Sequence, residues 1–177
     1  MWEDTIKIYV VAVILVAAAS AAHAASETIT MNSIDANGVD KTIGTLRLSD
    51  TKAGLRITPL LTDLPPGDRG FHVHVNPDWG PGSGSNGPPA AGMAAGGHYD
   101  PVNTGKHLGP QGEGHKGEMP VLTVEPTAKP PRLLPYRTTL ADVKGHSTMI
   151  HAGGDNYSDQ PAPLGGGGAR VSCGVVK

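Results

Sequence analysis

The sequence predicts an all-β fold, an antiparallel sandwich or barrel, and three observations predict it. Short runs of alternating apolar and polar residues recur through the chain, separated by turn residues. Gly (25) and Pro (16) are abundant while aromatics make up only 4%, which suits short strands and long loops better than a helical bundle. The 177 residues are most simply one domain, and no internal repeat is visible.

The first element, ETITMNSI (27–34), alternates and ends in the turn signal DANG. TIGTLRLSDT (42–51) alternates again, and GLRITPLLTDL (54–64) is a third run closed by PPGDRG. FHVHV (71–75) is the fourth, and alternation aims His72 and His74 at one face. From Asn76 to Glu118 periodicity stops. So long a stretch without regular structure is usually functional or disordered. PGSGSNGPPAAGMAAGG (81–97) reads as a linker, but His98, His107 and His115, with Asp100 and Glu118 beside them, argue for function. Strand material resumes with MPVLTVEP (119–126), a Pro-interrupted connection TAKPPRLLPYR (127–137), and STMIHAGG (147–154). A second Gly/Pro-rich loop, DNYSDQPAPLGGGG (155–168), precedes a final apolar strand, ARVSCGVV (169–176).

The hydrophobic fraction, 38%, is modest, and part of it lies in the first 25 residues. A chain so lean in core material gains from a metal that ties its loops together. Net charge is −2, with no basic concentration of the kind that binds nucleic acid. The apolar stretch IYVVAVILVAAAS (8–20) is short for a membrane span, which needs about 20 residues. Ala22-His23-Ala24 behind it has the small-x-small pattern of a signal-peptidase site. Residues 1–24 are therefore expected to be a signal peptide and 25–177 the exported domain. The n-region MWEDTIK departs from the usual pattern, with Glu3 and Asp4 against Lys7, and an uncleaved anchor is the competing reading. Cys173 is the single cysteine, so no intrachain disulfide can form; it reads as a small buried hydrophobe in a strand.

The chain holds eight histidines. His23 belongs to the signal, and His146, in VKGHST, sits in a turn with no obvious partner. The other six are His72, His74, His98, His107, His115 and His151. Imidazole is the commonest metal ligand, and a nitrogen-rich set with one or two carboxylates and no thiolate suits Cu(II) or Zn(II). One tetrahedral zinc cannot use six histidines, so two metals are expected. Other chemistries are poorly supported. Cys173 has no histidine base near it in sequence, GGGGAR lacks the Lys-Ser/Thr of a phosphate loop, and the sequon in DNYS reads as chance.

Taken together, GFHVHVNP, AAGGHYDP, TGKHLGPQGEGHKGEMP and MIHAGGDNYSDQPAPLGGGGARVSCGVV resemble the bacterial, periplasmic-type copper/zinc superoxide dismutases, from about residue 27 to the end. The resemblance implies an eight-stranded Greek-key β-barrel with two long functional loops, in a periplasmic or otherwise exported protein. It implies copper at His72, His74, His98 and His151, and zinc at His98, His107, His115 and Glu118, with His98 bridging the two. Asp155 corresponds to the aspartate that links a copper ligand to a zinc ligand, and Arg170 to the arginine that attracts the anionic substrate. The implied reaction disproportionates superoxide to O2 and H2O2. Copper cycles between two oxidation states while the His98 imidazolate is released, protonated and returned. Lys106 and Lys116 are possible helpers in steering, though ordinary solvation is the simpler reading.

The sequence departs from the resembled pattern in three places. The family's cysteine partner of Cys173 falls at Asp78 or Trp79, so the loop-closing disulfide, worth about 2–4 kcal/mol, is missing. Trp79 is expected to replace it by packing on apolar surface. Glu118 stands where the family has Asp; a normal zinc site with a small backbone adjustment is favoured over a weak one. Val75 stands where Glu is frequent, and no functional conclusion is drawn from it. A non-enzymatic exported barrel that buffers or delivers copper and zinc is the alternative function, and a tethered cell-envelope barrel a third. The chain is expected to be a monomer or homodimer.

Overall fold

The computed structural model describes residues 25–83, 88–125 and 137–177. The signal expected at 1–24 and most of the connection expected at 127–137 lie outside them.

Three strands form a meander: β1 (Ser26–Asp35), β2 (Gly38–Thr51) and β3 (Gly54–Leu61). They match the first three alternating runs, and alternation is what builds them. On β2 and β3, Leu46, Leu48, Leu55 and Ile57 point inward and are buried, while Arg47 and Arg56 between them face solvent. The β1–β2 register slips at Met31/Asn32 and at Asn32/Ile34, so a β-bulge interrupts the pairing.

β4 (Gly67–Arg69) runs through Gly70 into β5 (Phe71–His74). The sequence reads PPGDRG only as a turn, yet Gly67, Asp68 and Arg69 pair with Val124, Thr123 and Leu122 of β8 (Leu122–Val124). Between them, β6 (Gly82–Ser83) and β7 (Pro89–Ala90) make a two-residue pair in the first loop. A single-turn helix missing from the sequence reading, α1 (Leu140–Val143), is closed by a Thr139/Asp142 capping box. β9 (Ser147–His151) and β10 (Arg170–Val175) complete the frame.

The main sheet has the order β3-β2-β1-β10-β9-β5. The last strand returns by a long excursion to lie beside the first, the Greek-key arrangement. Six strands in this sheet and the β4–β8 pair attached through Gly70 make up an all-β frame, as the sequence predicts, with the eight strands that the family resemblance implies. Inside it lie Ile29, Met31, Leu46, Phe71, Val73 and Ile150. A smaller cluster of Ile34, Ala95, Met149 and Cys173 is covered by Trp79 and Ala91. Among the described residues, no helix is long and apolar enough to cross a membrane.

Candidate metal centre

β5 is buried on both faces. Phe71 and Val73 enter the barrel core, while His72 and His74, fully buried, point the other way beneath the two loops. A β-bridge sets His98 against His74, held by hydrogen bonds from the Val75 amide to Gly97 O (3.1 Å) and from the Tyr99 amide to Val73 O (2.8 Å). His151 ends β9 in register with Arg170 of β10. The His115 amide donates to Lys106 O at 2.9 Å, folding the loop so that His107 and His115 meet. Glu118 is bridged to His72.

These residues fall into two groups. In each of His72–His74–His98–His151 and His98–His107–His115–Glu118, one ligand atom per residue lies within 4.8 Å of all the others. His98 belongs to both, with its ring 4.0 Å from that of His72 and 5.5 Å from those of His107 and His115. Asp100 belongs to neither; it accepts the Gly105 N–H (2.9 Å) and the Thr104 hydroxyl, closing a turn. His146 also lies outside, hydrogen-bonded through Nδ1 to Val75 O (2.6 Å), with its ring tilted 38° to that of Tyr99 at 4.1 Å.

Four of the six rings are oriented by their other nitrogen. His74 Nδ1 bonds Gly96 O (2.9 Å) and His151 Nδ1 bonds Gly168 O (3.1 Å). A carbonyl can only accept, so both rings carry the proton on Nδ1 and present the lone pair of Nε2. Asp155 takes His72 Nε2 on Oδ2 and His107 Nε2 on Oδ1, both at 2.8 Å, and frees the Nδ1 atoms of both rings. Gly165 closes over this carboxylate at φ +70, where a Cβ would collide with Asp155.

The inward-facing atoms have no hydrogen-bond partner: His72 Nδ1, His74 Nε2 and His151 Nε2 in the first group, and His98 Nδ1, His107 Nδ1, His115 Nδ1 and Glu118 Oε1 in the second. Each such buried atom costs about 1–3 kcal/mol. Glu118 Oε1 lies 2.9 Å from His107 Nδ1 and 3.2 Å from His115 Nδ1 without hydrogen-bond geometry, since all three point at a common centre. That is the signature of donors converging on a cation. Four imidazoles suit Cu(II), and three imidazoles with one carboxylate oxygen suit tetrahedral zinc.

The electrostatics agree. Burial holds the first group neutral, with His72 and His98 below the ordinary range, His74 well below it and His151 down at about 4. Burial also opposes charge on His107, but the Asp155 and Glu118 carboxylates outweigh it and raise that ring to about 9. Arg170 is half-buried beside the first group. Its Nη1 and Nη2 donate to Gly92 O and Gly96 O, both at 2.6 Å, so it shares the Gly96 carbonyl with His74.

The structure thus brings all the sequence-predicted site residues into one locality. Lys116 is paired with Asp142 at 2.6 Å and Lys106 is exposed, which favours solvation over steering. Trp79, not Asp78, covers the cluster that contains Cys173.

The profile of the family described as copper/zinc superoxide dismutase (SODC) matches residues 42–176. Superoxide dismutase [Cu-Zn] 2 of Salmonella typhimurium is 49% identical over 168 residues, covering 94% of this chain and 96% of that protein. The Escherichia coli K12 enzyme named superoxide dismutase [Cu-Zn] is 43% identical over 173 residues, covering 97% and 99% of the two chains. Among solved structures, the Cu/Zn superoxide dismutase from Brucella abortus superposes with a TM-score of 0.82 at 44% identity, covering 86% of this chain and all (100%) of that one. The solution structure of the monomeric copper, zinc superoxide dismutase from Salmonella enterica gives 0.75 at 51% identity, with 86% and 100% covered. Fold, converging donors and relatives agree, and the chain belongs to the copper/zinc superoxide dismutases, oxidoreductases whose cofactors are copper and zinc.

Proposed function

We propose that this chain disproportionates two superoxide anions and two protons into O2 and H2O2, with copper held by His72, His74, His98 and His151 and zinc by His98, His107, His115 and Glu118. The observation that carries this reading is the set of seven buried donor atoms without partners, in two groups that share His98. Copper held by these four histidines would supply one-electron redox chemistry, and zinc held by the second set would supply a redox-silent charge.

The protein's own residues do the rest. Gly96 O, Gly168 O and Asp155 fix the rings so that the donors need no rearrangement. Asp155 ties His72 to His107, so the two metal sites move as one body. His98 faces both groups, and holding or releasing a proton at its copper-side nitrogen is its part in the reaction. Arg170 offers a fixed positive charge beside the copper group, and its remaining N–H groups attract and orient the anion. The metal-buffering alternative is disfavoured because every copper donor and Arg170 are present.

We further propose that residues 1–24 are a cleaved export signal, supported by Ala22-His23-Ala24, and that the mature chain from about residue 25 works in the periplasm or another exported location. The relative described as monomeric supports a monomer over a homodimer. The test of function is pulse radiolysis of mature protein loaded with one copper and one zinc per chain. Superoxide decay near ~10⁸–10⁹ M⁻¹s⁻¹ that slows with added salt is expected. Decay at background with copper occupancy confirmed would instead favour the metal-handling barrel.

A further inference from the structure

The second loop meets the first through three alternate side chains. Asp155 Oδ1 receives His107 Nε2 at 2.8 Å. Two residues on, Tyr157 Oη accepts the Val121 N–H at 2.9 Å. Its ring lies against Gly109, at φ +74, where a Cβ would come within 2.7 Å of the ring. Two residues further, Asp159 Oδ2 accepts the His107 N–H at 3.0 Å while Oδ1 accepts the Leu164 N–H at 3.3 Å. Tyr157 holds φ +57, a left-handed conformation that disfavours side chains other than Gly, Asn and Asp. Such backbone persists when surrounding contacts over-determine it. The Tyr157 N–H bonds Asp155 Oδ1 at 2.8 Å, so the unusual turn also feeds the carboxylate that joins the two sites.

His107 is consequently gripped on every side but one. Its backbone N–H goes to Asp159, its Nε2 to Asp155, and the next amide, Leu108 N–H, to Glu118 Oε2 at 3.0 Å. Of its ring nitrogens, only Nδ1 is left without a hydrogen bond.

We propose that Tyr157 and Asp159 are positioning residues for the zinc site: they hold the 107–121 segment against the second loop so that His107 keeps Nδ1 aimed at the ion, and they set how slowly zinc leaves. The proposal rests on the assignment of zinc to His98, His107, His115 and Glu118. It goes beyond it, because neither side chain is a ligand or touches the ligand-bearing ring. Outer partners of metal ligands are typically worth about 10–100-fold in metal affinity.

The experiment compares the copper- and zinc-loaded protein with Asp159→Ala, Asp159→Asn, Tyr157→Phe and His107→Ala. Zinc release to a chromogenic chelator and the visible spectrum of Co(II) substituted at the zinc site are read. Wild type holds one zinc per chain. Asp159→Ala releases it at least about tenfold faster with an altered Co(II) spectrum. Asp159→Asn keeps one acceptor oxygen and falls between. Tyr157→Phe, which keeps the ring on Gly109 and loses only the acceptor, accelerates release about threefold. The clasp is overturned if Asp159→Ala releases zinc within twofold of wild type with the same Co(II) spectrum, even where its melting temperature drops. If His107→Ala keeps zinc as wild type does, the underlying zinc assignment fails, and that result is distinct from the failure of the clasp alone.

Discussion

Trp79→Ala isolates the substitute for the missing disulfide. The indole is half-buried and packs on the cluster of Ile34, Ala95, Met149 and Cys173, which joins β1, the first loop, β9 and β10. Full truncation of a buried Trp costs about 3–5 kcal/mol. The part left exposed and relaxation of the loop around the site reduce this to about 2 kcal/mol, the figure that burying ~80 Å² of apolar surface at ~25 cal/mol per Å² returns. That equals the lower end of what a disulfide contributes, about 2–4 kcal/mol. For a chain of this size, 2 kcal/mol corresponds to a melting shift of about 4–8 °C. Calorimetry of the metal-loaded protein, with and without reductant, measures it. The alanine variant melts lower by this amount and loses zinc faster, and Trp79→Phe recovers part of both. In the zinc-only form, where there is no copper to reduce, a phosphine reductant changes nothing in any of them, since Cys173 is the only thiol. A variant melting within about 1 °C of wild type, with zinc release unchanged, would refute the idea that packing has taken over the bridge.

Burial pushes the Cys173 thiol up to about 12 from an ordinary 9.0, so the thiolate is suppressed about a thousandfold. The folded protein should resist iodoacetamide at pH 8 and react only when unfolded. A raised folded pKa favours the folded state while the thiol stays protonated. Cys173 therefore contributes stability below pH 9 that is lost as pH rises toward 12, and Cys173→Ala should flatten this alkaline loss in denaturant titrations. Arg170→Ala should cut the superoxide rate about tenfold or more and flatten its salt dependence, whereas Arg170→Lys should retain the salt slope but recover only part of the rate, having lost the two carbonyl contacts. Asp155→Asn keeps one acceptor oxygen, can orient only one of the two rings, and should weaken zinc binding about 10–100-fold in chelator competition.

Much of this was legible in the residues because side chains carry it. Alternation marks β1, β2, β3 and β5, an apolar run marks β10, and His72 and His74 two apart on a strand must share a face. β4 was hidden because Gly67, Asp68 and Arg69 offer no apolar periodicity; it exists because Leu122–Val124 runs beside it. α1 is too short for a helical period, although its Thr139/Asp142 box was there to be read. At the site, donor types were visible and their orienters were not. Gly96 O, Gly168 O and the Leu108 N–H are backbone groups, which every residue possesses, and only the fold selects which of them meets a ring or a carboxylate.

Glu118 shows how the fold absorbs a departure that residue identity leaves open. The extra methylene of Glu over Asp must be accommodated by moving either the donor oxygen or the backbone. The backbone is not free, since Glu118 is bridged to His72 on β5. The donor oxygen is not displaced either, since Oε1 sits between His107 Nδ1 and His115 Nδ1. The length is taken up by the side chain's other end: Oε2 reaches the Leu108 N–H at 3.0 Å. That capture leaves one oxygen for the ion and pins the loop at the residue after His107. The first loop, which carries no cysteine, is held at separate points by Trp79, Arg170, Glu118, Tyr157 and Asp159. None of these contacts depends on the redox state of a thiol, so ordering of the metal loop does not wait on oxidation.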